Sequence, residues 1–210
     1  IGKRAAKELR VDDIVNIGIG IPETVSRYAR KSGMLDMITL TVESGGIGGF
    51  PVSGEAFGAM IGAASVYDMA NQFDLYDNGG LDVCFMGALE VDRHGNITGA
   101  FAGIGGFANI TAKTPTVVFC MTFNAKGLEV TQEKGVVTIH KEGEISKFVE
   151  KVSSVSFSAK RAIENGQKVL YVTERCVFRL TPKGLKLIEV YPGVDIQKDI
   201  LDRLPFEVEV

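Results

Sequence analysis

At 210 residues the chain is long enough to bury the core of one large domain, and a 45% hydrophobic, 23% charged composition with 25 glycines describes a folded globular protein with many tight backbone positions. A formal net charge of −3 with no basic block and no tryptophan leaves no electrostatic footprint for nucleic acid, and no apolar run approaches the roughly 18 residues of a membrane-crossing helix, so neither nucleic acid nor membrane is an expected partner. Cys84, Cys120 and Cys176 are odd in number, widely spaced and set among apolar neighbours, which fits reduced structural thiols in a cytoplasmic protein better than disulfides or metal ligands.

The chain opens at Ile1 inside a helical pattern, Gly2 to Arg10, with Ala5, Ala6 and Leu9 on one side; that start predicts a fragment or one half of something larger. DDIVNIGIGIP then reads as a short buried strand entering a Gly-x-Gly turn. Pro22 stands where a helix can begin, and ETVSRYARKSGM places Val25, Tyr28 and Ala29 at helical spacing. MITLTV is a second strand, ending at Glu43. After a small, apolar stretch from Gly54 to Ala70, Asp74, Asp77 and Asp82 in QFDLYDNGGLD read as turn-forming acids, because the glycine and final glutamate of a calcium loop are misplaced. LDVCFMGALEV is read as one strand, DRHGN as a turn and TVVFCMTF as a further strand. Two strand-turn patterns surround EKGVVTIHKEGE, and SFSAKRAIENGQ is a helix stopped by Gly166. KVLYVTERCVFRLTPKGLKLIEV alternates like a hairpin around Pro182 to Gly184, and DIQKDILDRL is a closing helix behind Pro192 and Gly193. The sum predicts one α/β domain over residues 1–210, with a mixed, mainly parallel sheet flanked by helices and late antiparallel hairpins.

Three glycine clusters carry the candidate chemistry: Gly18 to Pro22 (GIGIP), Ser44 to Pro51 (SGGIGGFP) and Ala102 to Phe107 (AGIGGF). Each is open to a plain reading as a tight turn at a strand end. A dinucleotide fingerprint needs a third glycine, and none of the clusters supplies it; Pro51 and Ala108 stand in its place in the second and third. Glycines also let ligand approach the backbone and let N–H groups converge on a developing negative charge. A carboxylate beside such a loop can itself be a nucleophile, since its acyl adducts are anhydrides and its thiol adducts thioesters, both able to pass the group on. Glu43 is either that nucleophile or a solvated loop acid capping the following backbone. His94, in the DRHGN turn, and His140, beside Lys141, lack partners at metal or triad spacing and read as surface residues; no metal is expected. No neighbouring second acid supports glycosidase chemistry at Glu43.

Longer segments narrow the choice. NIGIGIPETV, TLTVESGGIGGFPVSG, FDLYDNGGLDVCFMGALEVDRHGNI, AGIGGFANIT and VLYVTERCVFRLTPKGLKLIEVYPGVD, collinear from about Lys3 to the C-terminus, together resemble the C-terminal (β) half of family I CoA-transferases, above all the propionate and acetate CoA-transferases acting on short-chain acyl-CoA. The resemblance implies a catalytic glutamate in an E-S/N-G loop, which Glu43 matches. Ser44, Gly45 and Gly46 match the loop that shapes the CoA pocket, with Gly18, Gly20 and Gly103 as further binding positions. Gly105 and Gly106 match a segment whose main-chain N–H groups help form an oxyanion hole.

The resemblance further implies coenzyme A as substrate and ping-pong transfer of CoA from a short-chain acyl-CoA to a free carboxylic acid, through an acyl-glutamyl anhydride and a glutamyl-CoA thioester on Glu43. It implies an α half, upstream in the same polypeptide or on a separate subunit, without which the site is inactive, and homo-oligomeric assembly. Between GNIT and AGIGG only Gly99, Ala100 and Phe101 stand where members of that family carry a longer loop. The alternative reading is a non-covalent phosphate or sugar-phosphate binding module on the same general fold; an acid in VESGG, rather than a lysine, serine or threonine, favours the enzyme.

Overall fold

The computed structural model describes residues 1–52, 54–56, 58–100 and 103–210. Ser53, Phe57, Phe101 and Ala102, the last two including the end of the short link after GNIT and the first residue of AGIGGF, lie outside the described residues.

A nine-stranded sheet organises the chain. Its middle is parallel: Ile14–Ile17 (β1), Thr39–Thr41 (β2), Val83–Met86, Thr116–Cys120 and Lys168–Val172. Numbered in chain order, these five lie side by side as 2-1-3-4-5, so the chain adds β2 on one side of β1 and then crosses over to build on the other. Antiparallel strands close both edges, Gly46–Ile47 (β3) and Ser65–Val66 beyond β2, and Cys176–Thr181 and Gly184–Val190 beyond Lys168–Val172. The mixed, mainly parallel α/β sheet with late hairpins is therefore present. The early antiparallel edge has no sequence signal because each of its strands is two residues long, too short to show alternation.

Burial on both faces explains why the central strands read as unbroken apolar runs. Val15, Ile17, Val83, Phe85, Val118 and Leu170 face one side, where α1 (Gly2–Ala5) and α2 (Thr24–Lys31) bury Ala5, Val25 and Ala29 against them. Cys84, Met86, Val117, Phe119, Val169 and Tyr171 face the other, beneath α3 (Met69–Asp77), α4 (Phe107–Lys113) and α5 (Ala159–Glu164). Each fully buried large side chain contributes about 1.5–3 kcal/mol. All three cysteines are buried free thiols. No helix among the described residues is long and apolar enough to cross a membrane.

Three expectations are corrected. Asp74 and Asp77 are not turn acids: they lie on α3, which Asp68 caps by accepting from the Asn71 N–H (2.9 Å) and which ends at Gly79, φ +81°. LDVCFMGALEV is two strands, not one; Val83–Met86 stops before Gly87, and Glu90–Asp92 turns away to pair with Ile97–Thr98 and Phe148–Val149. The AGIGGF turn runs into a helix, α4, whose seven-residue FANITAK sequence, with β-branched Ile110 and Thr111, is too short to show a helical period; both are buried, and packing holds the helix.

Candidate active site

β2 ends at Thr41 and the chain reverses within five residues. The Val42 N–H bonds to the Gly46 carbonyl (3.0 Å), Gly45 N–H to the Val42 carbonyl (3.0 Å), and Gly48 N–H to the Leu40 carbonyl (2.9 Å). Gly45 sits at φ +109° with its Cα against the Tyr67 carbonyl, so any Cβ there would overlap that oxygen. Glu43 occupies the tip of this reversal, half-buried at the C-terminal end of β2. Ser44 is exposed and donates its hydroxyl hydrogen to the Gly58 carbonyl.

A buried polar chain fixes the strand end that carries Glu43. Asn16 Nδ2 donates to the Tyr76 hydroxyl (3.3 Å), that hydroxyl donates to Thr41 Oγ1 (3.0 Å), and Thr41 donates to the Val15 carbonyl (3.1 Å). It ties α3 to β1 and β2 two residues before Glu43. Phe73 meets Tyr76 edge-on, ring centroids 5.8 Å apart, and its ring lies against Gly106.

Glu43 lines a cavity of ≈ 430 Å³. The other walls come from Gly18 and Ile19 after β1, Gly87 to Leu89 after Val83–Met86, and Gly103 to Phe107 entering α4. Glu43 and the first two of these walls follow the C-terminal ends of β2, β1 and Val83–Met86, where the strand order reverses around β1; open α/β sheets bind their ligands at such a crevice. The Gly106 N–H donates to Glu43 Oε2 at 3.3 Å. A Cβ on Gly106 would stand 2.7 Å from that oxygen and from the Phe73 ring, although its φ of −76° suits any residue. Close approach, not backbone freedom, demands glycine at 106. Gly105, at φ +50°, brings its backbone next to the same carboxylate.

Burial raises the Glu43 pKa above the usual carboxylate range, with the Gly106 N–H drawing it partly back. A carboxylate so placed is more basic than one in water and under-solvated, both of which favour attack on an electrophile. Cys120 also borders the cavity, but burial pushes its thiol up to about 12, so it stays neutral and is a poor nucleophile.

Of the residues singled out in the sequence, Glu43, Gly18, Gly103, Gly105 and Gly106 line this cavity, and Gly20, Ser44, Gly45 and Gly46 do not. Gly20, φ +82°, turns the chain towards α2 and donates its N–H to Glu23 Oε1 (2.6 Å); Gly46 belongs to β3 and packs on Met60. His94 and His140 are exposed. Among the described residues no three His, Cys, Asp or Glu side chains gather as metal ligands would.

Lys147 was not legible beforehand. It precedes the Phe148–Val149 strand, borders the cavity as its one cationic side chain among the described residues, and donates Nζ to the Ala88 carbonyl (2.9 Å). A lysine inside the apolar run ISKFV is the only signal the sequence carries for it.

Residues 1–198 match the family described as Coenzyme A transferase. Acetate CoA-transferase YdiF of Escherichia coli (strain K12) is 43% identical over 211 residues, spanning 98% of this chain and 40% of that protein. Caffeate CoA-transferase of Acetobacterium woodii is 45% identical over 216 residues, spanning 98% and 41%. The solved structure of acyl-CoA transferase YdiF from E. coli O157:H7, a thioester complex with CoA, matches with a TM-score of 0.92 at 41% identity, over 99% of this chain and 40% of that one. The chain thus spans about two fifths of the length of these relatives.

Proposed function

Because this chain belongs to the coenzyme A transferase family, we propose that it is the C-terminal (β) part of an enzyme that moves CoA between a short-chain acyl-CoA and a free carboxylic acid, with Glu43 as the nucleophile. The observation that carries this reading is the Glu43 carboxylate, half-buried and held by the Gly106 N–H, facing a cavity at the strand-order reversal.

Glu43 attacks the acyl-CoA carbonyl, the C–S bond breaks, and an acyl-glutamyl anhydride and CoA thiolate form. The thiolate then attacks the Glu43 carbonyl carbon, the C–O bond breaks, and the first acid leaves a glutamyl-CoA thioester behind. An acceptor carboxylate runs both steps in reverse. The Gly106 N–H, which touches Oε2 in the resting site, is the donor for the oxyanion formed whenever the Glu43 carbonyl is attacked. Loss of one such donor costs about 10²- to 10³-fold in turnover.

Water would hydrolyse both activated intermediates. We assign its exclusion to an α half that covers the cavity, because the relatives are more than twice as long as this chain and one of them has been solved as a thioester complex with CoA. A non-covalent phosphate module is disfavoured, since among the described residues the cavity wall carries a carboxylate and a single lysine.

Glu43→Gln and Glu43→Ala in the full-length protein test the assignment. Transfer should fall by several orders of magnitude while circular dichroism stays unchanged, because a carboxamide keeps the shape but forms no anhydride. Near-wild-type transfer by folded Glu43→Ala would refute the nucleophile.

A further inference from the structure

The charges of the cavity do not pair. Among the described residues no ion pair joins Lys147 to Glu43, and the Lys147 ammonium spends one of its hydrogens on the Ala88 carbonyl, leaving two. Glu174 is the acid whose field reaches it, and Glu174 is itself occupied by the Arg175 Nε (2.7 Å) and the Phe123 N–H (2.8 Å). Burial lowers the Lys147 pKa, so the ammonium is under-solvated and gains from an anion brought beside it.

The proposed reaction, on which this inference rests, moves one negative charge through the cavity. It sits on Glu43 at rest and on the CoA thiolate in the anhydride state, and it departs with the first acid. In the glutamyl-CoA state Glu43 is neutral, and the Lys147 ammonium is the one charge left on the cavity wall among the described residues. The cavity is then net positive at the one stage whose next reactant is an anion.

We propose that Lys147 is the binding residue for the acceptor carboxylate, drawing the free acid in only once Glu43 carries CoA. That carboxylate next attacks the glutamyl thioester carbonyl: a C–O bond forms, the C–S bond breaks, and the negative charge passes to the CoA thiolate beside the same ammonium. When Glu43 is ionised the cavity is net neutral and suits the uncharged acyl thioester instead. Lys147 thereby orders the two substrates.

The test separates the half-reactions in the full-length enzyme by quenched-flow mass spectrometry. Loading is followed as CoA appears on the protein from acetyl-CoA, and unloading as added acetate removes it. Lys147→Met, which keeps the apolar stem, should slow unloading at sub-saturating acetate by at least about 10-fold more than loading, the loss expected for one charge-assisted hydrogen bond. Lys147→Arg should restore most of it. Equal slowing of both half-reactions, or slowing of loading alone, would overturn the proposal in favour of a structural tie to Ala88 or an anchor for the CoA phosphates. Should Lys147→Met melt early, Lys147→Gln takes its place with the same readout. A wild-type protein that turns over without ever carrying CoA would instead overturn the covalent reading itself.

Discussion

Glu43 carries two consequences of one burial. Its folded-state pKa is raised, so the folded protein binds this proton more tightly than the unfolded chain does. The charged form is therefore destabilising at neutral pH, and the penalty disappears as pH falls below the ordinary glutamate value of about 4.3. Glu43→Gln should melt at a higher temperature than wild type at pH 7, with the gap closing as the pH drops through that window, even as transfer is lost; thermal unfolding across pH reads it. The acid limb of the loading rate should likewise lie above the ordinary glutamate range. Gly106→Ala should leave the fold intact, since its φ is unremarkable, but push the carboxylate out of place; kcat should fall far more than KM for acyl-CoA rises. Glu43 was legible as a candidate because it stands alone between a strand pattern and a four-glycine loop, and the likeness of VESGG to the CoA-transferase loop made it the expected nucleophile. Lys147 was not, because 104 residues separate it from Glu43 and only the fold brings both to one cavity.

At the scale of elements, local pattern located the buried strands and the helices with a clear apolar stripe, such as α2 and α5, and missed those that tertiary packing creates. α3 is rich in Asp and Asn, and α4 is seven residues long with β-branched positions, so neither announces itself. Yet α3 supplies Phe73 and Tyr76 behind Glu43, and α4 begins at the Gly106 N–H. Away from the site, Arg175 joins three separate segments. Fully buried, it bonds both oxygens of Glu142 (3.0 Å each), Glu174 (2.7 Å) and the Asp199 carbonyl (2.9 Å), and stacks on Phe123. It thus holds the turn after Lys168–Val172, the loop after Val136–Lys141 and the end of the Ile196–Asp199 helix. Arg175→Ala should cost about 3–5 kcal/mol in urea unfolding, because Glu142 and Glu174 lose their counter-charge. A loss under 1 kcal/mol would show the network to be slack.

For the whole molecule, the fold class was readable from alternating strand and helix patterns, but the 2-1-3-4-5 order was not, since adjacency of distant parallel strands leaves no local trace. That order makes the crevice in which Glu43, Gly18 and Gly106 meet. Large apolar side chains stand exposed at its rim and along the β3 side, with Ile19 at 60%, Ile61 at 68%, Val66 at 73% and Met69 at 57%. An α half seated there would cover them. Residues 1–210 produced alone should therefore fold, self-associate in light scattering and show no transfer, whereas a monodisperse monomer with full turnover would contradict the division of the site between two halves.

The central claim, that CoA is passed through a covalent bond to Glu43, is tested most directly by the mass of the full-length protein after incubation with acyl-CoA. A gain of one CoA less one water is expected on the peptide that carries Glu43, lost on adding a carboxylic acid and never formed by Glu43→Gln. An unmodified Glu43 in an enzyme that still exchanges CoA, or an adduct on another residue such as Cys120, would contradict it.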